Sequence, residues 1–75
     1  NPTRGIFNIY FSCEEVEDFD LLISDALGNI VLIDNQKQFI GEYANTFDFS
    51  SYPKGVYMIS ISTNKSFVNK RVVVQ

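Results

Sequence analysis

The sequence predicts an all-β domain, and two observations carry this prediction. Apolar residues recur at every second position in several short runs, which is the spacing of a strand with one buried face, whereas helical spacing fits no useful window. β-branched and aromatic residues fill these runs, and aromatic residues make up 15% of the chain. Because 75 residues leave room for only one core, residues 1–75 are predicted to be a single domain.

The first two thirds of the chain contain five predicted strands. The first strand covers residues 5–12 and the second covers residues 19–24, where apolar and polar side chains alternate. Residues 30–34 form the hairpin partner of the second strand, because the two runs are separated only by a short turn. A weaker fourth strand over residues 37–43 and a short fifth strand over residues 46–49 follow.

The last third contains the clearest alternation of the sequence. A dense turn cluster over residues 50–55 leads into a sixth strand over residues 56–62. A turn at residues 63–65 then leads into a seventh strand over residues 66–74, which is unusually β-prone. Seven short strands about ten residues apart predict two packed antiparallel sheets, that is, an immunoglobulin-like β-sandwich.

The predicted core consists of the apolar side chains that share one face of these strands. A single flat sheet would leave them in water, and burying each contributes about 1.5–3 kcal/mol, so a second layer is expected to cover them. They are Phe7, Ile9, Phe19, Leu21, Ile23, Phe47, Tyr57, Ile59, Ile61 and Val73.

Composition excludes most kinds of chemistry. The chain has no histidine and one cysteine, Cys13, so it lacks His-based acid–base catalysis, zinc sites of Cys and His, and an internal disulfide. We therefore predict that it is not an enzyme and needs no cofactor or metal. Its longest apolar run, residues 30–33, is four residues long, far below the roughly 20 that span a bilayer.

The charges are unevenly distributed along the chain. Residues 1–49 carry nine acidic and two basic residues, whereas residues 50–75 carry four basic residues and no acidic one. Four dispersed cations are too few for a nucleic-acid-binding surface, so no nucleic acid partner is predicted. The acidic run is interpreted as a solvated charged stretch rather than a metal cluster. It comprises Glu14, Glu15, Glu17, Asp18 and Asp20.

Several turn residues stand out by type and position. Their simplest interpretation is structural: Asn and Pro start turns, and Gly accepts positive φ. Asp25 lacks a second carboxylate at ligand spacing, so a turn role is preferred over a Ca²⁺ site. Tyr57 is interpreted as a core or corner aromatic whose hydroxyl needs a partner when buried. The residues singled out in this way are Asn1, Pro2, Asp25, Gly28, Pro53, Gly55 and Tyr57.

In their order and spacing these motifs are similar to those of a known family. They are Asn1-Pro2 before a strand, Asp25-x-x-Gly28 after a strand, Pro53-Lys54-Gly55-Val56-Tyr57 at the start of the sixth strand, and Lys70-Arg71-Val72-Val73-Val74 at the end of the chain. The sequence resembles the type A C-terminal sorting domain of the type IX secretion system of Bacteroidota. It departs from that family at Phe49 and Tyr52, where leucine is common, so the packing of this corner is expected to differ.

This resemblance implies a sorting signal that performs no chemistry itself. Such a domain ends a larger exported cargo protein, crosses the periplasm with it, and is recognised in folded form by the outer-membrane shuttle protein of the translocon. A sortase-like signal peptidase then typically removes it, and the cargo reaches the cell surface or the medium. The basic and β-prone segment is the expected recognition element, and it consists of Lys70, Arg71, Val72, Val73 and Val74.

A second function stays open at this point. Secreted β-sandwich modules bind carbohydrates or mediate adhesion through exposed coplanar aromatic rings, which Tyr10, Tyr43 and Tyr52 could supply. The chain has no Trp, and these tyrosines are not surrounded by a cluster of Asn, Gln and Asp. The sorting signal is therefore the preferred interpretation and the carbohydrate-binding or adhesive module is the alternative.

Overall fold

The structure, a computed structural model, describes residues 2–75, so Asn1 lies outside the described residues. The described residues form five strands in one sheet, with strand order β1-β5-β4-β2-β3. The short β1 pairs in parallel with β5, and the other neighbours are antiparallel. The predicted all-β class is confirmed. The strands are β1 (Pro2–Thr3), β2 (Ile6–Asp25), β3 (Ile30–Asp48), β4 (Gly55–Thr63) and β5 (Phe67–Val74).

The prediction of seven strands in two sheets is not confirmed. The predicted first and second strands are one continuous strand, β2, and the predicted third, fourth and fifth strands are one continuous strand, β3. Residues 14–18, predicted as an acidic connection, are strand residues of β2. The two long strands stay paired on both sides of this segment through a register shift between Cys13 and Glu17, which replaces the expected loop by a β-bulge.

The hairpin of β2 and β3 bends back on itself at this bulge. A strand of 20 residues is about 66 Å long when extended, whereas the longest dimension of the molecule is 36 Å. The rings of Phe11 and Phe19 would lie about 26 Å apart on an extended strand, yet their centroids are 5.0 Å apart. On β3 the bend coincides with positive φ angles at Gln38 (52°) and Gly41 (98°).

The bend divides the sheet into two parts that pack face to face. We call residues 6–13 of β2 with residues 41–48 of β3 the distal arm. We call residues 19–25 of β2, residues 30–36 of β3, β4 and β5 the base. Ring contacts such as Phe11 with Phe19 join the distal arm to the base, so the core lies between the two parts of one sheet.

The core largely follows the predicted alternation. Six of the ten predicted core residues are buried: Phe19, Leu21, Ile23, Phe47, Tyr57 and Ile59. Phe7, Ile9 and Ile61 are half-buried and pack against them. Phe49, Tyr43 and Val74 complete the buried cluster.

The prediction for Val73 is wrong by one residue. Val74 is buried and Val73 is half-buried, because Val72 pairs with Tyr57 and Val74 pairs with Gly55. Cross-strand partners share a face, so the even-numbered valines lie on the face of the buried Tyr57 and Val73 lies on the opposite face. In a run of three valines, alternation alone could not choose between the two phases.

Candidate functional site

The strand that carries the predicted recognition residues, β5, has one fully paired edge and one open edge. Its whole length pairs with β4, from Phe67 opposite Ser62 to Val74 opposite Gly55. Along the other edge, β1 pairs only with Val73 and Val74. Within the described chain, residues 67–72 therefore have no strand beside them on that edge.

The two cations of β5 project from opposite faces of the strand. Lys70 pairs with the buried Ile59, so it lies on the core-facing side, and Arg71 pairs with Met58 on the other side. Both side chains are exposed, and neither forms an ion pair with a residue that the structure describes. Val72 and Val73 are half-buried and Val74 is buried. The C-terminal end of β5 is thus anchored in the core by Val74, and the exposed charges of Lys70 and Arg71 lie just before this end.

The turn between β2 and β3 is organised by the carboxylate of Asp25. Its Oδ1 accepts hydrogen bonds from the backbone N–H groups of Leu27 (3.0 Å) and Asn29 (2.9 Å), and its Oδ2 accepts one from Asn29 Nδ2 (3.2 Å). Gly28 adopts a φ of 89° and donates its N–H to the Asp25 carbonyl at 3.0 Å. The hydrogen bond from the Asn29 backbone is the main reason that the pKa of Asp25 lies below its usual value.

The turn between β3 and β4 is closed by Tyr57. Its buried ring packs edge-on against Phe49 with centroids 5.3 Å apart, and its hydroxyl donates a hydrogen bond to the Pro53 carbonyl at 2.5 Å. Gly55 adopts a φ of 148°, in the region that favours glycine. Tyr52, at a position where the resemblance implied leucine, stacks on Phe49 with centroids 4.5 Å apart.

Beside this turn, the backbone of Gly5 closely approaches that of Phe49 and Ser50, a contact that the sequence does not predict. The Phe49 N–H donates to the Gly5 carbonyl at 2.6 Å, and a Cβ on Gly5 would lie 2.7 Å from Ser50 Cα and 2.7 Å from Ser50 N. Gly5 also has a φ of 116°. In the sequence Gly5 indicates only a turn, because its neighbour Ser50 is 45 positions away along the chain.

These turns lie at the same end of the sheet as the anchored end of β5. Pro2 pairs with Val73, Gly55 pairs with Val74, and Asp25 pairs with Tyr57. Pro53 accepts the Tyr57 hydroxyl, and Gly28 lies in the turn that follows Asp25. Residues of four separate motifs are therefore neighbours in the fold, while Asn1 lies outside the described residues.

The acidic run lies at the bend, where two of its carboxylates bind nearby groups of the domain. Lys65 Nζ contacts Glu15 Oε1 at 2.9 Å, and this hydrogen bond lowers the pKa of Glu15 and raises the pKa of Lys65. The Gln38 N–H donates to Asp18 Oδ1 at 2.8 Å, which supports the positive φ of Gln38. Among the described residues, no three His, Cys, Asp or Glu side chains are placed to hold a metal ion.

The three tyrosines of the alternative function do not form a common exposed face. Tyr43 is buried, and its hydroxyl donates to Asp34 Oδ2 at 2.6 Å. Burial is the main reason that the pKa of Tyr43 is raised, and the Asp34 carboxylate adds to it. Tyr52 stacks on Phe49, and only Tyr10 is largely exposed.

Comparison with known proteins points to one family. A family model described as "Secretion system C-terminal sorting domain" matches residues 1–75, the whole sequence. No curated protein matches the chain, and no solved structure matches it. In the part of the chain that the structure describes, no helix is long and apolar enough to cross a membrane.

Proposed function

This chain belongs to the secretion system C-terminal sorting domain family, and we propose the following mechanism for its recognition. The chain is a C-terminal sorting signal for type IX secretion. A protein that carries such a signal is exported to the cell surface or the extracellular space. A sorting signal acts only if the export machinery binds it selectively, so the domain requires a recognition surface.

The proposed partners are those of the type IX pathway in a host of the Bacteroidota. Residues 1–75 act as one sorting domain fused behind an upstream cargo domain, and the folded domain passes through the periplasm. The outer-membrane shuttle protein of the translocon binds it, and a sortase-like signal peptidase then separates it from the cargo. The domain acts throughout as a ligand, without cofactor, metal or catalytic residue of its own.

Recognition is proposed to occur at β5, and the observation that carries this proposal is the unpaired pair of cations. Lys70 and Arg71 are exposed on opposite faces of a strand whose outer edge is open. Exposed charges without an internal partner attract a surface of opposite sign and orient its approach. The segment from Val72 to Val74 extends from these cations into the core and holds them in place.

The turn residues are proposed to support this strand rather than to contact the partner. Asp25, Gly28, Pro53, Gly55 and Tyr57 are engaged in hydrogen bonds, packing or positive φ within the domain itself. We further propose that the bent sheet serves as a two-layer, immunoglobulin-like sandwich. The packing of the distal arm over the base supports this, and it provides the rigid scaffold that recognition of a folded signal requires.

The test is export of a periplasm-directed reporter fused to this domain in a host that has the type IX system. The intact domain is expected to export the reporter, and the double variant Lys70→Glu with Arg71→Glu is expected to leave it in the periplasm. Exposed charges contribute only about 0–1 kcal/mol to stability, so this variant is expected to remain folded. Deleting residues 70–75 should also abolish export, but it removes five of the eight residues of β5 as well.

The matched control is Lys37→Glu with Lys54→Glu, which makes the same change in charge at two exposed sites outside β5. Export with this control, and loss of export with a folded Lys70–Arg71 variant, supports recognition at β5. Equal export by both double variants contradicts it. Retention of the reporter by the intact domain, while an established sorting domain exports it, contradicts the sorting function itself.

A further inference from the structure

A groove of about 880 Å³ separates β5 from the distal arm. It lies between two parts of the sheet that do not meet there, and apolar side chains line much of it. These include Ile9 and Phe11 from the distal arm, Ile59 and Ile61 from β4, and Val68 and Val72 from β5. The groove is large enough for a bound segment of chain, because ligand sites in proteins commonly measure about 300–1,000 Å³.

Open strand edges border this groove on both sides. On one side are residues 67–72 of β5, since among the described residues β1 pairs only with Val73 and Val74. On the other side are residues 7–13 of β2, which within residues 2–75 pair with β3 alone, because β4 pairs with β2 only from Phe19 to Asp25. Edges of this kind present unpaired backbone N–H and C=O groups, which an added strand can satisfy.

The side chains on the groove side of β5 alternate in character. Val68 pairs with Ile61, Lys70 pairs with Ile59, and Val72 pairs with Tyr57, so all three lie on the core-facing side of the strand. The order along the edge is therefore apolar, cationic, apolar. Arg71 also borders the groove, although its side chain lies on the opposite face of β5. A complementary strand would place apolar side chains beside Val68 and Val72 and a carboxylate beside Lys70.

A second copy of this chain is a poor occupant of this edge. Antiparallel pairing of two β5 edges about a twofold axis would bring Lys70 and Arg71 of one copy next to those of the other. Like charges at neighbouring cross-strand positions are destabilising. The groove itself is therefore selective for a different chain, one that carries negative charge.

We propose that this groove binds an extended segment of a partner protein whose groove-facing residues, at every second position, are apolar, acidic and apolar in turn, and that the segment adds to β5 as a further strand. The proposal rests on the sorting function for the source of the partner, the export machinery. Backbone hydrogen bonds along residues 67–72 would provide affinity, and the pattern of Val68, Lys70 and Val72 would provide specificity.

The direct test uses the 75-residue chain labelled with ¹⁵N and a capped synthetic hexapeptide, Val-Thr-Glu-Thr-Val-Thr (the Glu–Val peptide), in which Val, Glu and Val share one face of an extended strand. We expect peptide-dependent shifts in the amide signals of residues 67–72 and 7–13, and slower hydrogen exchange in residues 67–72. A peptide with Lys in place of Glu, and another with Ser in place of Val, should each bind at least about tenfold more weakly. Equal binding of the three peptides, or shifts confined to other residues, overturns the proposal.

Neighbouring apolar residues of β5 offer a matched pair of variants. Val68 lines the groove, whereas Phe67 pairs with Ser62 on the other face and is the more exposed of the two, at 65% against 50%. Val68→Ser is expected to weaken binding of the Glu–Val peptide at least about fivefold, and Phe67→Ser to change it less than twofold. Similar effects of both variants would mean that the groove is not the site.

Three further outcomes distinguish the groove proposal from its alternatives. A dimer in sedimentation that Val68→Ser dissociates would overturn the proposed partner in favour of a second copy of the chain. If the fused reporter is exported but the peptide does not bind, the groove is not the binding site, and the sorting function is still supported. If the peptide binds but the fused reporter is not exported, the proposed sorting function is contradicted, and the groove is still supported as a peptide-binding site.

Discussion

The base and the distal arm are built from the same two strands but are stabilised very differently. In the base, residues 19–25 of β2 have β3 on one edge and β4 on the other, and Leu21 and Ile23 are fully buried, at 0% exposure. In the distal arm, residues 7–13 have a strand partner on one edge only in the part of the chain that the structure describes. Ile9 there is half-buried, and Tyr10 on the outer face is 64% exposed.

The difference indicates that the base provides stability and that the distal arm leaves surface available for recognition. The base contains six of the ten buried apolar residues of the described chain, so it is expected to be the last part to open. The distal arm closes the core from one side and leaves an open edge beside the groove. Surfaces available to a partner are thus found where pairing is incomplete.

The largest expected effect compares one core residue from each part. Leu21→Ala removes a fully buried side chain from the centre of the base, and we expect a loss of about 3–5 kcal/mol in the free energy of unfolding. Ile9→Ala, in the half-buried wall of the distal arm, is expected to lose about half as much. Urea denaturation of both variants measures the two losses. Equal losses would remove the distinction between base and arm.

The next effect concerns the contact that ties the start of the arm to the turn before β4. Gly5→Ala places a Cβ 2.7 Å from backbone atoms of Ser50 at a φ of 116°, and neither backbone can move aside cheaply. We expect a loss of about 3 kcal/mol or more, since steric overlap adds to about 1–2 kcal/mol of strain. Thermal unfolding followed by circular dichroism measures the stability of Gly5→Ala relative to the unchanged chain.

Gly41→Ala is the matched control for Gly5. It also has positive φ, 98°, but nothing lies within 4 Å of the position of its Cβ. We expect it to lose only the strain contribution of about 1–2 kcal/mol. Indistinguishable melting temperatures for the two variants would show that the approach of Gly5 to Ser50 does not constrain the fold.

A smaller effect is expected at the start of β4. Gly55→Val introduces a β-branched side chain at a φ of 148° with open space around the Cβ, so strain alone acts and the loss is about 1–3 kcal/mol. Lys54→Ala, at the exposed neighbouring residue, should change stability by less than about 0.5 kcal/mol. Melting temperatures that differ by less than about two degrees would contradict this, given how steeply the melting temperature of a small domain responds.

The smallest effect is the pH dependence contributed by Asp25. Its pKa is lower in the folded chain, so its hydrogen bonds stabilise the fold fully above the unfolded pKa and lose this contribution as pH falls through the folded pKa. Asp25→Asn should therefore be less stable than the unchanged chain near pH 7, and this difference should shrink as the solution is acidified below about pH 4.

The matched control removes an exposed carboxylate from the same strand. Asp20 accepts no side-chain hydrogen bond from the described residues, so Asp20→Asn should change stability less than Asp25→Asn at pH 7. Urea midpoints measured from pH 7 to pH 3 give both curves. A constant difference between Asp25→Asn and the unchanged chain over this range would show that the turn does not depend on the ionised carboxylate.

The local features of the fold were predictable from the sequence. Alternation in Phe19, Leu21 and Ile23, and again in Tyr57 and Ile59, identified buried faces because a strand turns successive side chains to opposite sides. The all-β class follows from the same pattern. The family was recognisable from the order and spacing of the turn motifs, since turn chemistry is also local.

Other features were decided only by the tertiary structure. The acidic segment at 14–18 has the composition of a loop, but β3 remains paired on either side of it, so β2 is continuous and bends at a bulge. Tyr43 was counted among exposed aromatics, yet the fold buries it and pairs it with Asp34. The approach of Gly5 to Ser50 and the choice of Val74 over Val73 likewise depend on which strands become neighbours.

The sequence by itself therefore determined the apolar face of most short runs and the turns after Asp25, Phe49 and Thr63, because both depend on residues a few positions apart. The tertiary structure alone decided where strands continue, where the sheet bends and which edges stay unpaired. Those outcomes depend on packing between residues far apart in the chain, such as Phe11 and Phe19 across the bend or Val74 and Gly55 across the sheet. The open edges beside the groove belong to this second class, since an edge is open only when every other strand has found its place.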